Sequence, residues 1–121
     1  MCHQSDGAGL AGQFPRLKGR VGQIATAPEG RSYLALVLLN GMYGKVTVDG
    51  QSISGMMPTM SMLSDPQIAD LLNYVVGLKK PAKPAAAFTA AEIAKVRAVG
   101  KLSGPEVAAE RARLLGKGLI P

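Results

Sequence analysis

The sequence predicts an all-α domain of short helices, and three features carry that expectation. Ser64/Gln67, Thr89/Glu92 and Ser103/Glu106 each have the spacing of a helix-capping box, a hydroxyl followed three residues later by Glu or Gln. Behind the first of these, Ile68, Leu71, Leu72 and Val75 recur at i, i+3, i+4 and i+7, which places them on one helical face. The longest apolar run, Tyr33 to Leu39, lies within RSYLALVLLN and stops at a glycine.

Taken in chain order, Asp6 to Pro28 is rich in glycine and proline and reads as loop. A helix is expected over Arg31–Asn40, closed by Gly41, because glycine enters the left-handed conformation of a C-terminal cap cheaply. The following stretch, MYGKVTVDGQSISGMMP, alternates weakly around Val46 and Val48 and is read as mostly loop, with room for a short hairpin. The next helix opens at Ser64, tolerates Pro66 in its first turn and ends at Gly77, with Lys79 and Lys80 beside the negative end of its dipole. Residues 79–88, KKPAKPAAAF, read as a linker, and two further helices follow, stopped by Gly100 and Gly116. The expected organisation is a domain over 1–78, a Pro/Ala/Lys linker over 79–88 and a basic helical extension over 89–121 that packs back as a hairpin.

Composition removes several functions. A single cysteine excludes an intramolecular disulfide, and one cysteine with one histidine cannot complete a four-ligand zinc site without carboxylates. No stretch of 18 apolar residues exists to span a bilayer, and no signal peptide precedes Cys2. The net charge of +6 resides wholly in residues 79–121, since five basic and five acidic groups cancel over 1–78. Such a surface suits solvent, an acidic protein partner or an anionic membrane face. Nucleic acid is disfavoured, because this basic segment holds one aromatic residue, Phe88, and no binding motif.

The cysteine and the histidine are adjacent, at Cys2 and His3. C-x-x-C-H is the attachment signature of c-type haem, in which cysteines add across haem vinyl groups and place the histidine under the iron. The stretch CHQSDGAGLAGQFPRLKG resembles the haem-binding segment of class I cytochromes c. The later stretch GQSISGMMPTMSMLSDPQIADLLNYVVGL resembles that family's second half, with Met57-Pro58, Leu63-Ser64-Asp65 and Tyr74 in matching places. The resemblance runs over residues 2–78.

The resemblance implies cytochrome c-like helices around one haem, His3 as the proximal iron ligand and Met57 as the distal one. It also implies that the Pro15 carbonyl fixes the His3 ring, and that Gly7, Gly9 and Gly12 let backbone approach the ring closely. Imidazole with thioether raises the iron potential. Met60 ranks second for the distal role, ahead of Met56 and Met62, against the alternative that all four methionines fill core. Haem c would be held by one thioether, from Cys2. The implied function is one-electron transfer, not catalysis, as a soluble carrier or as the cytochrome subunit of a periplasmic dehydrogenase or oxidase with an acidic partner protein.

Three family features are missing: the first cysteine, an N-terminal helix that covers the Ile68–Val75 stripe, and an export signal. One explanation covers them, namely that Met1 occupies the second x of C-x-x-C-H and the natural chain begins upstream. The rival readings are a haem-free interaction module with an exposed apolar stripe, and a thiol enzyme using Cys2 and His3. The latter is poor, because adjacent residues rarely bring sulfur and imidazole into hydrogen-bonded geometry and no third orienting group is evident.

Overall fold

The computed structural model describes residues 2–80 and 82–121. Met1, expected to stand before Cys2 in the C-x-x-C-H motif, and Pro81, in the Pro/Ala/Lys stretch, lie outside the described residues. The element order is α1 (Arg20–Ile24), α2 (Pro28–Asn40), β1 (Met42–Val48), β2 (Gln51–Met57), α3 (Asp65–Val76), α4 (Ala90–Ala98) and α5 (Gly104–Gly116). The fold is mostly helical, with one small antiparallel hairpin.

Helix α3 begins as the capping spacing requires. Ser64 Oγ accepts from the Gln67 N–H at 3.3 Å, and Gln67 Oε1 accepts from the Ser64 N–H at 2.9 Å. The Ser103/Glu106 pair at α5 is equally complete, at 3.2 and 2.9 Å. At α4 the box is half made. Thr89 Oγ1 accepts from the Glu92 N–H at 3.2 Å, but the Glu92 carboxylate faces Arg31, at 2.7 and 2.8 Å from its guanidinium. Gly41 caps α2 with φ +72° and donates to the Val37 carbonyl.

Two expectations are corrected. The stretch read as loop before residue 28 contains α1, a single short turn of helix with no side-chain cap, held because Val21 and Ile24 are buried. The stretch read as mostly loop over 42–57 is a regular hairpin in which Met42 pairs with Met57 and Val48 with Gln51. Its turn is Asp49-Gly50, both at positive φ (51° and 75°), the backbone of the tightest two-residue hairpin connection. The alternation is masked because Gly44 and Gly55 face each other in the register and the outward positions include Tyr43 and Met56. Helix α2 also starts three residues before the expected Arg31, with Pro28 in its first turn.

One apolar core joins α1, α2 and α3 to the C-terminal helices. Ile68, Ile93, Val107 and Leu114 are essentially inaccessible to solvent, and burial of such side chains stabilises the fold by about 1.5–3 kcal/mol each. Helix α4 lies on α3 and α2, and α5 lies on β1 and α2. The stripe Ile68–Val75 therefore receives cover from within the chain. Among the described residues, no helix is long and apolar enough to cross a membrane.

Arg31 fastens the Pro/Ala stretch to this core. Its Nη1 donates to the carbonyls of Ala25 and Ala86, at 3.2 and 2.8 Å, and its guanidinium lies 4.0 Å from the Phe88 ring centre. Asn73 exchanges two hydrogen bonds with the Phe88 backbone, at 2.7 and 3.0 Å. The hydrogen bond from Arg31 holds the Glu92 carboxyl below the ordinary glutamate range. A carboxyl depressed in this way stabilises the fold above its unfolded pKa, and the contribution disappears as pH falls through the lower native value. Acid unfolding of Arg31→Met should therefore lose part of the steepness the wild type shows there, and identical acid profiles would contradict the pairing.

Gly104 permits the close approach of α5 to β1. A Cβ at that position would stand 2.7 Å from Tyr43 Cβ and 2.8 Å from Tyr43 N. Gly104→Ala should cost about 1–3 kcal/mol in a denaturant titration, whereas a neutral result would mean that α5 does not press on β1.

Candidate functional site

Cys2 is exposed and His3 half-buried at the start of a loop that folds back on itself. The Gly9 N–H donates to the His3 carbonyl at 3.0 Å, and Leu10 and Phe14 exchange backbone hydrogen bonds at 2.9 and 2.8 Å. Farther along, the Gly7 carbonyl accepts from both Leu17 and Lys18. These bonds bring Pro15 beneath the histidine, where its carbonyl lies 2.8 Å from His3 Nδ1. Gly9 makes the fold-back physically allowed. It has φ +69°, and a Cβ there would stand 2.5 Å from the Phe14 oxygen and 2.7 Å from the Pro15 oxygen.

A carbonyl oxygen accepts and cannot donate, so Nδ1 carries the proton in this contact. Nε2 is then the ring nitrogen with a free lone pair, the arrangement of a metal-binding imidazole whose other nitrogen is fixed by a hydrogen bond.

The four central methionines separate by exposure. Met56 is 70% exposed and Met62 is 76% exposed. Met57 and Met60 are half-buried and pack against the core. Met56 and Met57 point to opposite sides because neighbouring strand residues alternate. The segment carrying the two inward methionines is fixed to the end of α2. Thr59 Oγ1 donates to the Leu39 carbonyl and the Met60 N–H to the Leu38 carbonyl, both at 2.7 Å. Gly41 admits the Met57 backbone, since a Cβ there would be 2.5 Å from the Met57 oxygen. Thus His3 and Pro15 are brought into contact, while Met57 is held on a separate segment. His3 and Met57 both lie outside the two clefts described next.

Sequence reasoning missed two residues, Arg20 and Arg111, which are 6% and 4% exposed. Arg20 was assigned to loop and Arg111 to a solvated basic surface. Arg20 borders a cleft of about 480 Å³ shared with Arg16, Thr47, Asp49 and Pro121. A smaller cleft, of about 110 Å³, lies alongside between Pro15, Gly12 and the hairpin. Burial lowers the Arg20 pKa, and the Arg111 charge lowers it further. Arg20 Nη2 donates to the Pro121 carbonyl at 2.8 Å and Arg111 Nη2 to the Thr47 carbonyl at 3.0 Å. Arg111 Nε is buried with no acceptor. Burial raises the pKa of the neighbouring Tyr33 hydroxyl, and the Arg111 charge opposes the rise. A signal for Arg111 was present, because it stands at i+4 from Val107 and i−3 from Leu114, both fully buried, on one helical stripe.

Among the described residues no group of three or more His, Cys, Asp and Glu could hold a bare metal ion. An iron porphyrin needs less from the chain: one donor on each face and counter-charge for its two propionates. In kind, the donor set suits such a group: a single imidazole with Nε2 free, inward thioethers and a buried arginine with an unused N–H.

Comparison with known proteins points the same way. The Cytochrome c family model matches residues 1–79. Cytochrome c-552 of Thermus thermophilus is 42% identical over 116 residues, which cover 93% of this chain and 88% of that protein. A second cytochrome c-552, from Thermus thermophilus strain ATCC 27634, is 42% identical over 116 residues, covering 93% of this chain and 78% of its own length. A match to that share of the chain runs well past residue 79 and takes in most of the C-terminal segment. The chain thus belongs to the cytochrome c family, as a class I c-type cytochrome: an electron-transfer protein whose kind carries covalent haem c and its iron.

Proposed function

We propose that this chain passes single electrons through haem c held by Cys2, His3 and Met57, as a soluble carrier or as the cytochrome subunit of a periplasmic dehydrogenase or oxidase. The observation that carries the ligand assignment is the 2.8 Å contact between His3 Nδ1 and the Pro15 carbonyl, which leaves Nε2 for iron. Met57 is favoured over Met60 because it precedes Pro58, as in the Met-Pro pair of the resemblance, and ends strand β2 close to the Gly41 backbone. Haem iron between imidazole and thioether supplies a one-electron couple of raised potential. Cys2, exposed at the loop start, is free to form one thioether. Pro15 orients the imidazole, and Arg20 with Arg111 offers the propionates positive charge.

The test is spectroscopic. After export with the haem-attachment machinery, the wild-type protein should stain for covalent haem on a denaturing gel and show the weak charge-transfer band of methionine-ligated ferric haem. Met57→Ala should abolish that band and Met60→Ala should keep it. The reverse result would move the ligand to Met60, and survival of the band in both would refute methionine ligation by this pair.

The acidic-partner reading draws on how the basic residues divide. Among the described residues every ion pair uses an arginine, and no lysine takes part in one. Lys79, Lys80, Lys83, Lys95, Lys101 and Lys117 leave their charge to solvent within the segment that holds the whole net excess. Long-range attraction of that kind accelerates encounter and weakens as salt screens it. The second-order rate constant with an acidic oxidoreductase should fall with ionic strength, and Lys79→Glu, Lys80→Glu and Lys83→Glu together should flatten the dependence. An unaltered slope would place docking on another surface.

A further inference from the structure

We propose that Arg97 of α4 is a positioning residue for the methionine-bearing segment, acting as a clamp that sets how readily the thioether leaves the iron. The proposal rests on the reading of a methionine from this segment as an iron ligand.

Residues 58–64, between β2 and α3, contain no helix or strand. On the upstream side the segment is held by α2, through the Thr59 hydroxyl and the Met60 N–H. On the downstream side it is held by one guanidinium. Arg97 Nη2 donates to the Leu63 carbonyl at 2.8 Å, Nη1 to the Ser61 carbonyl at 3.3 Å and Nε to Asp65 Oδ1 at 2.8 Å. Three acceptors spanning five residues converge on one side chain. The fixed planar fork of arginine suits such a set, and the point charge of lysine does not.

The clamp has a rigid base. Five residues before Arg97, Glu92 on the same helix is paired with Arg31 of α2, while Ile93 and Val96 are buried between them. Helix α4 is therefore registered to α2 at Glu92 and to the methionine segment at Arg97. Both ends of the segment answer to α2, one directly and the other through α4. Loss of Arg97 frees two carbonyls and the Asp65 carboxylate at once, and removes the tie between α4 and the segment that follows Met57 and Met60.

The experiment uses ferric holoprotein and imidazole, which competes with the thioether for iron. Arg97→Gln should bind imidazole roughly tenfold more tightly than wild type, with the methionine band still present when imidazole is absent. Arg113→Gln, which removes the ion pairs of Arg113 with Glu29 and Glu110 on α5, should bind it as wild type does. Where Arg97→Gln does not yield folded holoprotein, Arg97→Lys is read in the same way, since it keeps a charge beside Asp65 but cannot serve both carbonyls. Wild-type imidazole affinity in the Arg97 variant overturns the clamp, as does an equal gain in Arg113→Gln, which would signal general loosening. A wild-type protein that lacks the methionine band overturns the ligand reading, and the clamp with it.

Discussion

The site depends on the direction of one hydrogen bond. Because the Pro15 carbonyl can only accept, the His3 ring is oriented and its Nε2 is left with a free lone pair by the same 2.8 Å contact. Much else near the start of the chain serves to keep that carbonyl in place. Gly9 lies so close to Phe14 and Pro15 that any side chain would push them away. Gly7 accepts two backbone hydrogen bonds from the strand of loop leading out, and a Cβ there would meet Leu78 just beyond α3 at 2.6 Å. Here the loop is pinned to the helical core, so the imidazole inherits its rigidity.

The charged residues divide their work by chemistry. Arginines hold the fold: Arg31 joins α2 to α4 and to residues 86–88, Arg16 pairs with Asp49 at the hairpin turn, and Arg97 joins α4 to the start of α3. Each serves carbonyl or carboxylate acceptors that a guanidinium fork can reach together. The lysines keep their charge in water, where it acts over a distance. A protein that must meet partners briefly benefits from this separation, because its long-range field can change without loosening its core. It also explains how the C-terminal segment can contribute the whole positive excess and still supply Phe88, Ile93, Val107 and Leu114 to the core.

Where structure is determined within three or four residues, the sequence was readable. The Ser64 and Ser103 caps, the Gly41 stop and the buried face of α3 follow from nearest-neighbour chemistry. Helix α1 was hidden because one turn flanked and interrupted by Gly19 and Gly22 has little intrinsic preference, and only the burial of Val21 and Ile24 holds it. The hairpin carried its signal in Asp49-Gly50, but its strands pair glycine with glycine and expose Tyr43 and Met56, so periodicity could not speak for it. The start of α2 was obscured in another way. Thr26-x-x-Glu29 has the cap spacing, yet the Thr26 hydroxyl donates backwards to the Gln23 carbonyl and the helix begins uncapped at Pro28. The His3–Pro15 contact was legible through its motif, whereas the burial of Arg20 and Arg111 was not, because a charged residue is normally counted to the surface.

Those two buried arginines bear on the stability of the fold. Guanidinium keeps its proton even when burial disfavours it, so the pair cannot shed its charge. Asp49 is 3.9 Å from Arg20 but is nearly half exposed and already forms two hydrogen bonds to Arg16. The Thr47 carbonyl and the Pro121 oxygen accept one N–H each. Two buried guanidinium groups that repel one another favour an anion in the cleft beside them. A ligand bearing two carboxylates and bound only by the folded chain would add its binding free energy to folding. Arg20 would transmit that gain to α1 and Arg111 to α5. A carboxylate held at that cleft would thus engage α1 and α5 together, two helices far apart in the sequence.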